Sequence, residues 1–543
     1  MFYRYVFGEV PSVIKKIALA AVTLALVGVA ADAQTTTPRK GGTLRMTAPY
    51  GTSLSSLDIH TTPRAQDGIV AKLIHRSLYK WDTAANKPVV ELATSVTVSN
   101  GGLTHTYKLR DDAVFHNGRK MTADDIIFSY TRIMDGSKGY PGARWIRNIK
   151  GAVDVEKNQA KEISGLRKID DGTLEITLNE KIEPGFALMA DTTSILAKEN
   201  IESGNITSNP VGLGPFKFKE HLPGSRLVAE RWDKFYKPGQ PYLDRVFVLV
   251  MGEASARDVA FRNNEIDLSI LGPAQYLAYK NDPDLQKGVF EVAEVFTRNM
   301  GMNPAHKPFA DKRVRQAINH AIDTDLVVKR LSKEKAYRAT SWLPLTSPAY
   351  DKALKPYAYD PEKAKKLLAE AGYPNGFEFE WMTSQNESWG LPIVEGVLPM
   401  LDKVGIKAKV RLVEAAVLTE VIPKGDYQAY LWSNATGPDP LAALKCYHSQ
   451  TPRTACNYVG FNNTDYDKLV DAAGAADDPA KRLDLMKQAN AMLYEEAPVW
   501  FFNYNKAVMA YQPWVHGLQP NATELTHQYG EDLWVDEKSP VAK

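Results

Sequence analysis

Short apolar runs of two periodicities alternate along the chain, separated by glycine-rich and asparagine-rich turn signals. Residues 89–98 and 104–109 have the composition of strands, and the Asn-Gly-Gly sequence at 100–102 is typical of a turn between them. Ile69, Leu73 and Ile74 instead follow helical spacing. The pattern therefore predicts strands and helices in the same part of the chain.

Three further helices have clear signals. Thr122 with Asp125 three positions later approximates a capping box, and the helix dipole stabilises carboxylates in a first turn. Asp360 is placed to cap the start of a second helix, and Gly372 suits its C-terminal stop. The third helix has one apolar face, formed by Val314, Ala317, Ile318, Ala321 and Ile322.

Residues 427–440 join an aromatic and apolar run to a polar loop. The run suits a buried strand, which the Gly-Pro pair at 437–438 ends. The candidate ligand contacts in this stretch are Trp432, Ser433, Asn434, Thr436 and Asp439. An indole supplies stacking area, while amides and hydroxyls fix the orientation of a polar organic ligand. The alternative is a core tryptophan followed by an ordinary polar turn.

The N-terminus has the pattern of a secretory signal peptide. Basic residues precede an apolar run at 17–31, and small residues at Ala31 and Ala33 fit cleavage after Ala33. We therefore expect residues 1–33 to be a signal peptide and the mature protein to be periplasmic. A retained anchor is the alternative, although the run is shorter than the roughly 20 apolar residues of a membrane span. No cysteine lies near the cleavage site, so we expect no lipid anchor.

The composition is that of a nearly neutral globular protein. Its 543 residues, 44% of them hydrophobic, suffice for two or more cores. The 66 basic and 64 acidic residues are scattered, which argues against a nucleic-acid partner. The two cysteines, Cys446 and Cys456, are predicted to form a disulfide that staples a long loop. A redox pair is the alternative, but it would favour a tighter Cys-x-x-Cys spacing.

Several sequence blocks resemble those of one protein family, in the same order. The blocks are Gly-Gly-Thr-Leu-Arg at 41–45, Leu-Asp at 57–58, Leu-Arg-Asp-Asp-Ala-Val-Phe-His-Asn-Gly at 109–118, Thr-Ala-Asp-Asp at 122–125, Asn-Pro-Val-Gly-Leu-Gly-Pro-Phe at 209–216, Pro-Phe-Ala-Asp-Lys-Arg-Val-Arg-Gln-Ala-Ile at 308–318 and the helix at 360–374. They resemble the dipeptide and oligopeptide class of periplasmic solute-binding proteins of ABC importers, known as bacterial extracellular solute-binding protein family 5. The resemblance extends from about residue 40 to about residue 505.

The resemblance implies an α/β, bilobed periplasmic-binding-protein fold whose two lobes are joined by hinge strands. Lobe I would comprise residues 34–296, with an extra subdomain at about 75–205, and would be completed by residues 503–543. Lobe II would comprise residues 297–502. Such lobes close on a ligand, and an importer recognises the closed state.

Two features depart from the family's peptide-binding pattern. Peptide-binding members carry an aspartate about three residues after the tryptophan, where this chain has Ala435. Dipeptide binders also present an arginine in the stretch corresponding to residues 382–390, which here offers Gln385, Asn386 and Trp389. A buried charge without a partner is costly, so zwitterionic dipeptides fit poorly. We expect an oligopeptide held through its backbone, or a peptide-like or sugar-like compound.

Lobe I is expected to add contacts from the loops after its first strand. Tyr50 and Thr52 lie in the first of these loops, and Arg64 follows the Leu-Asp pair at 57–58. For Arg64 the alternative is a solvated surface arginine.

No catalytic motif is recognisable. The chain has no His-Glu-x-x-His, no Gly-x-Ser-x-Gly and no phosphate-binding glycine loop ending in Gly-Lys-Ser/Thr. We therefore expect a non-enzymatic monomer, without cofactor or metal, that delivers a small organic ligand to the permease subunits of an ABC importer in the inner membrane. The alternatives are a binding protein for a non-peptide ligand such as an oligosaccharide, and an unrecognised secreted enzyme.

Overall fold

The computed structural model describes residues 37–48, 53–62, 64, 67–85, 87–385, 390–436, 439–519 and 529–542. The predicted signal peptide, residues 1–33, lies outside the described residues. All elements named below lie within residues 40–543. No helix among the described residues is long and apolar enough to cross a membrane.

Nineteen strands form in the described residues. They are β1 (Thr43–Thr47), β2 (Tyr79–Asp82), β3 (Lys87–Val90), β4 (Ala93–Ser99), β5 (Thr104–Leu109), β6 (Leu166–Asp170), β7 (Thr173–Thr177), β8 (Phe216–Leu222), β9 (Arg226–Arg231), β10 (Arg245–Leu249), β11 (Leu268–Ile270), β12 (Val289–Met302), β13 (Ala336–Arg338), β14 (Phe377–Thr383), β15 (Ile406–Leu412), β16 (Ala429–Ala435), β17 (Val499–Tyr511), β18 (Val515–His516) and β19 (Trp534–Val535). The longest are β12 and β17, with 14 and 13 residues.

Seventeen α-helices accompany these strands in the same described ranges. They are α1 (Gly68–Leu73), α2 (Ala123–Ile133), α3 (Ala143–Ile146), α4 (Ala152–Glu156), α5 (Gly185–Leu188), α6 (Lys198–Glu202), α7 (Ala254–Arg262), α8 (Pro273–Lys280), α9 (Lys307–Ala310), α10 (Lys312–Ala321), α11 (Thr324–Leu326), α12 (Pro361–Glu370), α13 (Leu391–Asp402), α14 (Ala415–Lys424), α15 (Pro440–Lys445), α16 (Thr464–Ala475) and α17 (Pro479–Glu496).

Eleven of the strands join in one sheet, in the order β15-β14-β16-β12-β17-β11-β1-β10-β9-β8, with β13 paired to β17. Towards one end, β15, β14 and β16 are parallel. Towards the other end, β11, β1 and β10 are parallel. We call these groups the lobe II arm and the lobe I arm. The long strands β12 and β17 run antiparallel to each other and connect the two arms.

Apolar side chains from the arms are buried against the flanking segments. Leu44 and Val246 belong to the core beside the lobe I arm. The lobe II arm has two cores, one containing Trp381 and the other containing Tyr430.

A second sheet, β4-β5-β7-β6, lies outside the large one. It packs with α2 around a core that includes Tyr107, Phe115 and Tyr130 and draws on residues from Leu78 to Tyr236. Most residues of this core lie within 75–205, the range predicted for the extra subdomain. The limits of that subdomain stay a prediction.

Local signals are largely confirmed, with one exception. Thr122 and Asp125 form the capping box of α2, and Asp360 caps α12 by accepting from the Lys363 backbone N at 2.9 Å. The single strand expected at 89–98 is wrong, because the chain changes partners there: β3 pairs with β2, and β4 pairs with β5. Glu91 lies at this change, and its buried carboxylate breaks the apolar run.

Candidate functional site

The carboxyl ends of the two arms point towards each other. Both β16 and β17 are antiparallel to β12, and the register places Asn434 of β16 level with Tyr504 of β17. From the other side, β11 runs parallel to β1 and ends at Ile270, level with Met509. Residues 505–508 of β17 therefore separate the two ends. Ligands of open α/β sheets bind outside the carboxyl ends of the strands, so this crevice is the candidate site.

The pairing of β12 with β17 is interrupted at the same place. Ala293 pairs with Lys506, whereas Thr297 pairs with Tyr504, so residues 294–296 have no regular partner on β17. Irregularities of this kind bend strands and often lie next to functional sites. The break lies beside residue 296, where the sequence predicted lobe I to end; the lobe limits themselves stay a prediction.

Three predicted contacts lie on β16 beside this break. Trp432 is half-buried and packs against the core that contains Tyr430. Asn434 is buried, and its Oδ1 accepts from Asn299 Nδ2 at 2.8 Å. Ser433 is half-buried and lies on the opposite face, because successive strand side chains alternate. The strand thus offers the crevice an indole and an amide on one face and a hydroxyl on the other.

Thr436 and Asp439 flank residues 437–438, which lie outside the described residues. The backbone N and Oγ1 of Thr436 both donate to the Val295 carbonyl oxygen, at 2.9 and 2.6 Å. Asp439 caps α15 by accepting from the Leu441 backbone N at 2.9 Å. Burial raises the pKa of Asp439, and the hydrogen bonds that its carboxylate accepts from backbone N–H groups oppose that shift. Both side chains are therefore engaged with protein groups, one on each side of residues 437–438.

Four predicted contacts lie outside the described residues: Tyr50, Thr52, Asn386 and Trp389. Their loops follow β1, which ends at Thr47, and β14, which ends at Thr383. Both loops therefore leave the carboxyl ends of parallel strands. Arg64 is described and exposed. Contact between any of these five residues and a ligand stays a prediction.

Cys446 and Cys456 are joined by a disulfide. Cys446 follows α15 directly, and α15 begins at the Asp439 cap. The disulfide thus closes the loop just beyond the candidate contacts.

Polar residues of the two long strands also reach this region, and sequence reasoning missed them. Asn505 Nδ2 donates to the Glu294 carboxylate, and Arg298 Nη2 donates to Asn505 Oδ1 at 2.6 Å. Asn299 and Asn503 lie close by in the same strands. The available signal was the polar groups Thr-Arg-Asn at 297–299 and Asn-Tyr-Asn at 503–505, which interrupt otherwise apolar strands.

Some buried polar atoms beside the crevice have no hydrogen-bond partner among the described residues. Asn503 is 0% exposed, yet neither its Oδ1 nor its Nδ2 is paired. The same holds for Asn299 Oδ1 and for the hydroxyls of Thr383 and Ser384 at the end of β14. An unpaired buried group costs about 1–3 kcal/mol, and such groups in native proteins call for an explanation. Hydrogen bonding to a ligand is one.

Two surface cavities lie elsewhere. One of about 650 Å³ adjoins Arg226 and Arg245 of the lobe I arm, and one of about 360 Å³ adjoins His306 and Glu380. Neither is lined by a residue predicted for the site.

The chain is similar to known solute-binding proteins over most of its length. The profile described as Bacterial extracellular solute-binding proteins, family 5 Middle, matches residues 87–455. Heme-binding protein A of Haemophilus influenzae is 30% identical over 438 residues, which cover 75% of this chain and 77% of that protein. Glutathione-binding protein GsiB of Escherichia coli is 29% identical over 466 residues, which cover 82% of this chain and 86% of that protein.

Solved structures share the architecture. The periplasmic binding protein DppA of Helicobacter pylori, in complex with the peptide STSA, superposes with a TM-score of 0.76 at 24% identity. The superposition covers 92% of this chain and 99% of that chain. The expected bilobed α/β periplasmic-binding-protein fold is therefore confirmed. Since the profile spans more than half of the chain and the Haemophilus relative is 30% identical, the chain belongs to the bacterial extracellular solute-binding proteins of family 5.

Proposed function

We propose that this chain is the substrate-binding component of an ABC importer, and that it captures a peptide or peptide-like solute between its lobes. The observation that carries this proposal is the crevice in which the carboxyl ends of both arms meet, beside the interrupted pairing of β12 and β17. A ligand in such a crevice touches both lobes and stabilises their closed arrangement.

The groups beside the crevice favour a ligand held by neutral hydrogen bonds. The charges at the crossing are engaged with protein groups: Asn505 links Arg298 and Glu294, and Lys506 Nζ lies 3.1 Å from Glu291 Oε2. The amide of Asn503, by contrast, both donates and accepts, so it is complementary to a peptide group. Trp432 adds stacking area.

The names of similar proteins supply the first probes. GsiB is named for glutathione, the Haemophilus relative for heme, and the DppA structure holds the peptide STSA. We propose a peptide-like compound as the ligand class because Ala435 and the arginine-free stretch at 382–390 remove the two charge anchors expected for a zwitterionic dipeptide.

The proposal includes export and delivery. After cleavage of residues 1–33, the protein acts as a periplasmic monomer without a lipid anchor, and it passes its ligand to permease subunits in the inner membrane. It binds reversibly and does not turn its ligand over.

Native mass spectrometry of protein purified gently from an exported fraction, followed by extraction and identification of the bound compound, tests this proposal. Peptides or a peptide-like compound at one per protein support it. A sugar or another non-peptide compound would overturn the ligand class. Calorimetry with glutathione, heme and the peptide Ser-Thr-Ser-Ala then measures one-to-one binding, and steady product formation from any of them would contradict a binding-only role.

A further inference from the structure

Two ion pairs outside the long strands β12 and β17 join segments that lie far apart in sequence. Glu180 Oε2 lies 2.8 Å from Lys445 Nζ, and the neighbouring Lys181 Nζ is paired with the Asp477 carboxylate. Glu180 and Lys181 follow β7 of the four-stranded sheet, which belongs to the first half of the chain. Lys445 ends α15, and Asp477 lies between α16 and α17. The pairs therefore connect the predicted lobe I subdomain with lobe II.

The lobe I side of these pairs is held in place by its own contacts. Asn148 brackets Glu180, because its Oδ1 accepts from the Glu180 backbone N at 3.1 Å and its Nδ2 donates to the Glu180 carbonyl at 3.2 Å. The stem of Lys181 lies over Gly102, where an added Cβ would be 3.0 Å from Lys181 Cγ. The two charges are thus presented by an ordered segment.

The lobe II side leads directly to the candidate ligand loop. Helix α15 begins at the Asp439 cap beside the crevice and ends six residues later at Lys445, next to the disulfide. The helix therefore connects the Asp439 cap directly to Lys445. The positive charge at its C-terminal end is also favourable for the helix dipole.

The order of the charges makes the contact specific. In lobe I the negative Glu180 precedes the positive Lys181; in lobe II Lys445 faces the first and Asp477 faces the second. Reversing the sign of all four charges would therefore preserve both pairs. The four side chains are between 39% and 84% exposed, so salt screens both pairs. Exposed pairs are weak, and a weak contact suits an equilibrium that a ligand must shift.

We propose that these pairs form an electrostatic latch, Glu180–Lys445 and Lys181–Asp477, that holds the two lobes together before any ligand is bound. The latch goes beyond the proposed function, since it sets the balance between closed and open protein whatever the ligand is. Higher ionic strength opens the latch, and the same opening lowers apparent ligand affinity.

Single-molecule energy transfer on ligand-free protein tests the latch. Dyes on Lys161→Cys in the subdomain and Gln488→Cys on α17 report the distance between the lobes; both sites are exposed and outside the ion pairs. Reversal of the lobe I charges by Glu180→Lys with Lys181→Glu should lower the closed-to-open ratio roughly fivefold. Adding Lys445→Glu with Asp477→Lys should restore it.

The matched control reverses an ion pair confined to α16, Asp465 with Lys468, whose charges lie 2.8 Å apart at similar exposure. That reversal should leave the ratio unchanged. An unchanged ratio after the lobe I reversal, a loss that the four-charge exchange does not restore, or the absence of a closed population in the wild type at low salt would each overturn the latch. Because no ligand is present, these results are independent of the extraction experiment.

Discussion

Two groups of buried polar side chains in this protein differ in how completely they are paired. In lobe I, Arg76 Nη2 lies 2.7 Å from Glu531 Oε2, while Lys237 Nζ lies 2.6 Å from Glu531 and 2.8 Å from Glu91. Tyr236 donates to Glu91 at 2.6 Å. Burial alone would raise the pKa of Glu91, but Lys237 and the neighbouring cations lower it to about 2. Each charge has an opposite charge at hand.

The amide groups of Asn299 and Asn503 at the crevice are neutral and incompletely paired. Asn503 is as deeply buried as the lobe I charges, yet neither amide atom has a partner among the described residues. Asn299 is paired through Nδ2 only. A network in which every charge faces an opposite charge supports the fold, although Arg76 Nε itself makes no hydrogen bond among the described residues. Unpaired neutral groups at a junction of two lobes are instead suited to a ligand. The comparison predicts that changes in lobe I affect stability and changes at the crevice affect binding.

Acid should destabilise the protein through lobe I. Burial lowers the pKa of His60 and His75 to about 4, and of His116 to about 3, from an ordinary value of 6.5. Between pH 6.5 and 4 the unfolded chain therefore binds more protons than the folded one, so the free energy of unfolding falls as the pH falls. The expected loss at pH 4 is roughly 3 kcal/mol per histidine.

Urea unfolding at pH 7, 5.5 and 4.5 measures this dependence. His116→Gln removes one of these groups, so its loss over the same interval should be smaller than that of the wild type by roughly 3 kcal/mol. Parallel pH profiles for wild type and variant would contradict a buried neutral His116.

Removal of one lobe I charge should be the most costly single substitution. Glu531→Ala leaves Arg76, whose side chain is 2% exposed, without its closest carboxylate, and the expected loss of unfolding free energy is about 3–5 kcal/mol. Asp284→Ala is the control, since its carboxylate is 90% exposed beside Lys287 and should cost less than about 0.5 kcal/mol. Equal losses in the two variants would remove the distinction between paired buried charge and surface charge.

Trp432→Ala should lower both the free energy of unfolding and the ligand affinity. Because Trp432 is half-buried against a core, we expect a loss of about 2 kcal/mol of stability and a more than tenfold loss of ligand affinity. Trp232→Ala in lobe I, also half-buried, should lose stability without losing affinity. Urea unfolding measures the stability of each variant, and calorimetry with the extracted ligand measures its affinity. Undiminished affinity in Trp432→Ala would place the pocket elsewhere.

Much of the fold follows from local sequence signals. The turn at 100–102, the capping box at Thr122 and the cap at Asp360 each depend on residues a few positions apart, and the structure contains all three. The prediction of a single strand at 89–98 was wrong because the segment is divided into β3 and β4, which join different sheets. The bilobed arrangement came from the family resemblance, since pairing across hundreds of residues leaves no local pattern.

The candidate site was predictable only in part for the same reason. Residues 432–439 carry their own signal, an indole followed by polar groups. Asn299 and Asn503 are brought beside them by the pairing of β16, β12 and β17, and by the break between Ala293 and Thr297. That register cannot be derived from the strands taken singly.

Comparison of Asn503→Leu with Asn505→Leu tests the central claim most directly. Asn505 is paired with Glu294 and Arg298, so its replacement should lower the free energy of unfolding by about 1–3 kcal/mol. Replacement of the unpaired Asn503 by an apolar side chain of similar size should leave stability unchanged or raise it, while the ligand recovered by native mass spectrometry falls more than tenfold. An Asn503→Leu protein that retains its ligand at the wild-type level would contradict the assignment of the crevice as the binding site.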